Sequence, residues 1–227
     1  MISVIWLRFF SYLLRNFDSS LNQKKMEKKK IIVIGASGTI GKLLVKSLEL
    51  KGHEVIKASR SSAEYPMDIT NKSSMEALFK KCGNFDAVVM TAGDVVNGPI
   101  DQMTDENFAF ALGSKLMGQV NAVRTALPYI SEKGSFTLIS GILTEEPIAG
   151  GTIGTMINGA VEGFVKGLCF ELPRGIRINC VSPNVLKESE SYHPYFPGFI
   201  PVEGSKVVAA YERSIFGIIN GRIIHVH

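Results

Sequence analysis

Residues 30–41, KIIVIGASGTIG, constrain this chain more than any other stretch. Four consecutive apolar residues, Ile31, Ile32, Val33 and Ile34, read as a strand buried on both faces, the pattern of a parallel sheet. Gly35, Gly38 and Gly41 follow at G-x-x-G-x-x-G spacing, and Thr39 to Val45 opens an apolar-periodic helix. Strand, glycine turn and helix in that order are the context a dinucleotide fingerprint requires. Glycines permit the tight turn and the close backbone approach, so a pyrophosphate rests on unpaired N–H groups at the positive end of the helix. A purely structural turn is the alternative, because glycine triplets also arise by chance.

The helix is expected over residues 39–51, stopped by Gly52, with a second strand over 53–58. The end of that strand bears on cofactor choice. An NAD site calls for Asp or Glu there to accept from the ribose 2′-hydroxyl, but the chain reads Ser59-Arg60-Ser61-Ser62, with no acid before Glu64. An arginine flanked by hydroxyls suits a 2′-phosphate, since its guanidinium carries a permanent charge and several donors. NADP(H) is therefore expected in preference to NAD(H), the alternative being that Arg60 is only a solvated loop residue.

A short extended piece over 64–68 ends in Asp68-Ile69, a helix over 73–81 takes Ser73 as its cap, and a strand over 85–90 runs into Thr91-Ala92-Gly93. Further on, a long helix is expected over 105–130 with Thr104 as cap. A fifth strand over 134–140, a helix ending near 172, a sixth strand over 175–183 and a last strand over 222–226 follow. The alternation predicts an α/β fold, a doubly wound, mostly parallel sheet of about seven strands in three layers. Ligands in such sheets sit outside the carboxyl ends of the strands, where Asp68, Ala92 and Gly93 would lie. Residues 184–201, with three prolines (Pro194, Pro197 and Pro201) and four aromatics (Tyr192, Tyr195, Phe196 and Phe199) beside that edge, read as a candidate lid.

At 227 residues and 45% hydrophobic, the chain is long enough to close one core and needs no second domain. Its net charge of +4 is uneven: residues 1–30 carry +5 and the rest −1, so the domain has no electrostatic footprint for nucleic acid. Cys82, Cys169 and Cys180 are odd in number and form no C-x-x-C, which fits a reducing compartment, and a cytoplasmic location is expected. Residues 1–17 are apolar and aromatic but broken by Arg8 and Arg15, too short and too charged to span a bilayer. The expectation is that residues 1–28 form an extension outside a single nucleotide-binding domain over 29–227, with Met26 as the functional start; the alternative is a basic amphipathic segment on a membrane surface.

Taken together these motifs resemble the short-chain dehydrogenase/reductase family, from about residue 29 to 226. GASGTIG resembles its cofactor loop, which implies contacts from Gly35, Ser37, Gly38, Thr39, Ile40 and Gly41. MDIT resembles its adenine-contacting segment (Asp68, Ile69), TAG its N-A-G turn (Thr91, Ala92, Gly93), and INCVSPN its loop after the sixth strand (Pro183), with Ser59, Arg60 and Ser61 at the 2′-phosphate. The resemblance implies a Rossmann domain that oxidises alcohols or reduces carbonyls with NAD(P)(H), assembled as a homodimer or homotetramer on two long helices. The substrate is a small molecule of unknown identity.

The family's Y-x-x-x-K pair is missing. Its tyrosine gives or takes the substrate proton, and its lysine, one turn on, holds the ribose and lowers the tyrosine pKa. Alignment on the small-residue helix puts Gly154 and Asn158 in those places, and no tyrosine lies between residues 130 and 192. Two candidates remain for catalytic help. Ser140 stands beside Gly141, which takes the family serine's place; it is either a donor or a strand-end serine capping backbone. Lys115 maps onto the family's helix asparagine and either points inward, replacing some of the lost charge, or is a solvated lysine. The lid tyrosines, Tyr192 and Tyr195, bring a phenol from elsewhere or pack on apolar surface. Without the usual pair, a weakly active or inactive nucleotide-binding protein acting as sensor or scaffold is the alternative to an enzyme. Finally, Gly159, Gly163 and Gly167 recur every four residues on one helix face, implying close packing against a second copy or against the chain's own sheet. No metal ligands are expected.

Overall fold

A computed structural model describes residues 27–227; residues 1–26, and with them most of the expected extension, lie outside the described residues. Among the described residues no helix is long and apolar enough to cross a membrane. Within the described residues six parallel strands form one sheet: β1 (Lys30–Ile34), β2 (Glu54–Ala58), β3 (Phe85–Met90), β4 (Ile130–Ile139), β5 (Arg177–Pro183) and β6 (Ile223–Val226), in the order β2-β1-β3-β4-β5-β6.

Among the described residues, five helices cover its two faces. Because side chains alternate across a strand, β1 feeds both cores. Ile32 and Ile34 face α2 (Lys72–Cys82), α4 (Gly118–Ala126) and α5 (Thr152–Leu168), where Phe79, Val123 and Val165 pack. Ile31 and Val33 face α1 (Thr39–Leu50) and α6 (Gly204–Phe216), where Leu44, Leu48 and Tyr211 pack. Full burial of each such aliphatic side chain contributes roughly 1.5–3 kcal/mol, so the apolar run at 31–34 ties the two layers together. Buried Tyr211 donates its hydroxyl to the carbonyl of Met90 at 2.6 Å, fastening α6 beneath the end of β3.

Several expectations need correction. The sheet has six strands rather than about seven, because the extended piece over 64–68 makes only an isolated bridge, Ser59 with Pro66. Pro66 has no N–H for a ladder, and the Asp68 N–H goes to the Ser74 hydroxyl at 3.1 Å instead. The cap of α2 is Asn71, whose side chain accepts from the Ser74 N–H at 3.1 Å, rather than Ser73. The long helix is interrupted. α3 (Asp105–Ala111), capped by Thr104 in a reciprocal box with Asn107, passes through a π-helical turn at Leu112–Met117 into α4, and β4 already begins at Ile130. Helix α6 was not among the expected elements.

The chain moves from β1 outward to β2, then returns to β3 on the other side of β1, so the order reverses between β1 and β3. A crevice at the carboxyl ends of strands at such a switch point is where open parallel sheets bind ligands.

Candidate functional site

At that edge lies a cleft of about 700 Å³, within the usual size of a small-molecule or cofactor site. Its floor is the glycine turn. Gly35 has φ +91°, and an added Cβ there would stand 2.9 Å from the Ala92 nitrogen, so only glycine lets β1 turn this close to the end of β3. Gly41 works by close approach: a Cβ would run into the Gly35 carbonyl and lie 2.8 Å from the Ala36 Cα, preventing α1 from settling against the turn. The cap of α1 is Gly38, no side chain bonds the first-turn amides, and no acid sits in that turn. Those N–H groups and the positive end of α1 are thus available to an anion.

The structure gathers most of the expected cofactor residues around this cleft: Gly35, Ser37, Gly38 and Thr39 from the turn, Ser59, Arg60 and Ser61 from the end of β2, Asp68 and Ile69, and Thr91, Ala92 and Gly93. Ile40, Gly41 and Pro183 are not in its wall. Ile40 packs half-buried between the two cores, Gly41 seats α1, and buried Pro183 pairs with Val226 in the sheet. Asp68 is pre-set by Thr70, whose N–H and hydroxyl donate to one carboxylate oxygen at 2.9 and 2.8 Å. These bonds, with help from the Arg60 charge, hold its carboxyl below the usual range.

The walls also hold residues that sequence reasoning passed over. Met67, Thr70, Asp94, Phe110 and Ser114 line the cleft, and Tyr192 reaches it from the lid. Asp94 matters most, because its carboxylate lies 3.6 Å from the Arg60 guanidinium, across the mouth of the cleft. Its only sequence signal is its position directly after Thr91-Ala92-Gly93. Ser114 accepts the Asp94 N–H at 3.0 Å and so fixes the chain that carries the carboxylate.

Lys115 points inward from the π-helical turn. It lies directly behind Gly93, where a Cβ would come within 2.8 Å of the lysine Cγ, and its ammonium donates to the Ser140 carbonyl at 3.2 Å. The residue keeps some exposed surface, but its ammonium is enclosed, and burial lowers its pKa to about 8, opposed by Cys180 and Asp94. Asn158 is buried and its amide donates to the next carbonyl along, Gly141, at 3.3 Å. Lys115 and Asn158 thus hold consecutive carbonyls at the end of β4.

Ser140 is placed otherwise than expected for a donor. Its hydroxyl donates to Glu162 at 2.9 Å, a buried carboxylate on α5 that also accepts from Thr144 at 3.0 Å. That is a structural tie between β4 and α5, and Ser140 does not line the cleft. At Gly154, an added Cβ would sit 3.1 Å from Leu143 and 3.4 Å from the Asn97 side chain, so neighbours close over the position. The loop carrying Asn97 is pinned there by the Gly98 N–H on the Gly150 carbonyl at 2.8 Å. The lid is an ordered loop, with Val202 bonded to Val185, the Glu188 carboxylate on the Gly204 N–H and a short turn at Glu190–Tyr195. Of its tyrosines, Tyr192 lines the cleft and Tyr195 stands in solvent.

Known proteins carry the same architecture. The family model described as Enoyl-(Acyl carrier protein) reductase matches residues 42–199. The crystal structure of the protein lin1944 from Listeria innocua is 44% identical, with a TM-score of 0.85, covering 88% of this chain and 100% of that one. A small-chain dehydrogenase solved in complex with NADPH is 28% identical, with a TM-score of 0.78, over 88% of this chain and 97% of its own. A 3-ketodihydrosphingosine reductase from Bacteroides thetaiotaomicron is 27% identical over an alignment of 179 residues that covers 70% of this chain but only 64% of that protein's length. With its parallel sheet, its glycine turn at the switch point and these relatives, the chain belongs to the short-chain dehydrogenase/reductase family.

Proposed function

We propose that the cleft binds NADP(H) and that the protein is an oxidoreductase of carbonyl or alcohol substrates, weakened by its non-standard site. The observation that carries this reading is the joint placement of the uncapped N-terminus of α1 and of Ser59-Arg60-Ser61 on one cleft. The former suits the pyrophosphate and the latter a 2′-phosphate. The residues fit the group: the glycine turn leaves the backbone open to a phosphate, and Asp68 keeps a second carboxylate oxygen beyond the one held by Thr70. When bound, the cofactor supplies the hydride. The relative solved with NADPH and the reductase from Bacteroides thetaiotaomicron support the reading. A cytoplasmic location follows from the cysteine usage and is proposed with it.

What this chain's own residues contribute to proton transfer is little. Gly154 and Asn158 carry no acid or base, and the Ser140 hydroxyl is turned to Glu162. That shortage favours a second reading, an NADP(H)-binding protein with slow or no turnover that acts as sensor or scaffold. Calorimetric titration with NADPH and NADH, followed by a screen of ketones for NADPH consumption, separates the two. Binding without turnover selects the second reading, and no binding of either nucleotide overturns both.

Lys115 is assigned as a positioning residue: its side chain backs Gly93 and its charge lies behind the cleft wall. With a pKa near 8, the ammonium is present below that pH and lost above it. NADPH affinity is therefore expected to fall as pH rises through about 8 in the wild type and to stay flat in Lys115→Met, which binds more weakly at pH 7. Stability runs the other way. From about 8 up to the unfolded value of about 10.4, the native state has released a proton the unfolded chain still holds, so stability rises with pH in that window. Lys115→Met removes the penalty of the buried charge and should raise the melting temperature at pH 7. Unchanged affinity and melting temperature in the variant would sink the assignment.

The glycine stripe supports a homodimer or homotetramer. Gly159, Gly163 and Gly167 are exposed, and Cβ atoms added at Gly163 and Gly167 would meet nothing within 4 Å, so this face does not pack on the chain's own sheet. Exposed Met156 lies on the same helix. A small-residue face of this kind admits the backbone of a second helix. Sedimentation velocity at micromolar concentration should show a dimer or larger, and Gly163→Arg should shift it toward monomer. A monomeric wild type refutes the proposal.

A further inference from the structure

The far edge of the sheet holds a cluster that the cofactor cleft does not use. His225 and His227 are two residues apart along the extended end of β6, so their side chains leave the same face, and both are exposed while Ile224 and Val226 are buried. Glu145, just past the short turn Ile142–Thr144 that follows β4, meets them with both carboxylate oxygens: Oε1 lies 2.9 Å from His225 Nδ1 and Oε2 3.3 Å from His227 Nδ1. The two rings stand 5.3 Å apart at 67°, converging on the acid rather than stacking flat. One ligand atom from each of the three residues falls within 4.8 Å of the others.

We propose that Glu145, His225 and His227 form a binding site for a divalent first-row metal ion, with Zn²⁺ the best match. Two imidazoles and a carboxylate are the donor set zinc takes in three-ligand sites, and the residues' partial exposure, 45, 41 and 25%, leaves the fourth position to water. Zinc bonds of about 2.0–2.1 Å in a tetrahedron place neighbouring donors about 3.3 Å apart. The two carboxylate–imidazole separations already lie near that value, and the remaining edge closes by rotation of exposed rings. Each Nδ1 that now faces the carboxylate would face the ion, so binding replaces protons with metal and joins the three side chains through one centre.

The place of the cluster gives the ion a role. Glu145 follows Leu143 and Thr144, of which the first closes over Gly154 and the second holds Glu162. Its own N–H bonds the Ile142 carbonyl at 2.8 Å, so the acid rides on a fixed turn. An ion there staples the segment after β4 to edge strand β6, stabilising the fold by mass action and stiffening the wall that leads into α5.

The test uses the full chain without a polyhistidine tag, stripped with chelator, and titrated calorimetrically with ZnCl₂ alone. Saturable binding of one ion per chain is expected, with a rise in melting temperature on loading. Glu145→Gln and His225→Gln should each weaken binding by about tenfold or more, whereas Glu146→Gln, one residue from the cluster, leaves it unchanged. MgCl₂, a hard cation that prefers oxygen ligands, should not compete. No saturable zinc binding, or binding that both cluster variants retain in full, overturns the proposal. Because the site and its readouts need no nucleotide, this result is independent of whether the cleft binds NADP(H).

Discussion

Arg60→Asp is expected to reverse the order of cofactor affinity, from NADPH over NADH in the wild type to NADH over NADPH in the variant. The guanidinium already has a partner, Asp94 at 3.6 Å, but both side chains are largely exposed, at 77% and 61%. An exposed pair of this kind is worth roughly 0–1 kcal/mol. A charge-assisted contact to a 2′-phosphate is worth roughly 1.5–3 kcal/mol, so the phosphate displaces the carboxylate and retains a surplus. At about 1.4 kcal/mol per factor of ten, wild-type discrimination of tens-fold follows. The substitution acts twice: it removes the cation and leaves two carboxylates at the mouth of the cleft, which repel the 2′-phosphate, while the new acid can accept from a ribose 2′-hydroxyl. Calorimetry with both nucleotides at matched ionic strength checks it. Equal wild-type affinities, or a variant that still prefers NADPH, would show that Arg60 is only a solvated loop residue.

The reach of the sequence can be judged from individual residues. Where the signal is local it was readable: the run at 31–34 marks β1, the glycine spacing marks the turn into α1, and Arg60 at the end of β2 falls on the cleft. Helix α6 was equally legible in principle, since Val207, Val208, Tyr211 and Ile215 repeat with the helical period. The bridge at Ser59 and Pro66 shows a local pattern overruled by chemistry, because an extended sequence without the right N–H groups does not become a strand. The site's polar ties were out of reach for another reason. Glu162 meets Ser140 and Thr144 from 22 and 18 residues away, and Asp94 meets Arg60 across the cleft. Contacts of that range depend on how α5 and the loop after β3 settle on the sheet, and nothing in the neighbouring sequence announces them.

If Gly154 and Asn158 stand where the family carries its Tyr-x-x-x-Lys pair, restoring that pair should have the largest effect on turnover, and the structure says which background to use. Gly154→Tyr with Asn158→Lys puts back the acid and the cation, a contribution of roughly a hundred- to ten-thousand-fold in such reactions. The Cβ at Gly154 needs Leu143, 3.1 Å away, to give by a few tenths of an ångström, which the end of a flexible side chain can do. The lysine is harder to place. Asn158 and Lys115 donate to the adjacent carbonyls of Gly141 and Ser140, so a second ammonium at 158 would be buried beside the first. Like charges so placed disfavour each other, and burial has already lowered the Lys115 pKa to about 8. The double variant in the wild-type background is therefore expected to gain little, with a depressed melting temperature. Adding Lys115→Asn, the residue type that the resemblance implies at this position, removes the repulsion, and the triple variant should reduce simple ketones with NADPH at least about a hundred times faster than the wild type. Nucleotide titration of each variant shows that the cleft is still formed. If the triple variant binds NADPH, melts normally and turns over no faster than the wild type, the missing pair is not what limits this protein. If the wild type itself reduces a simple ketone at several turnovers per second, the same conclusion follows.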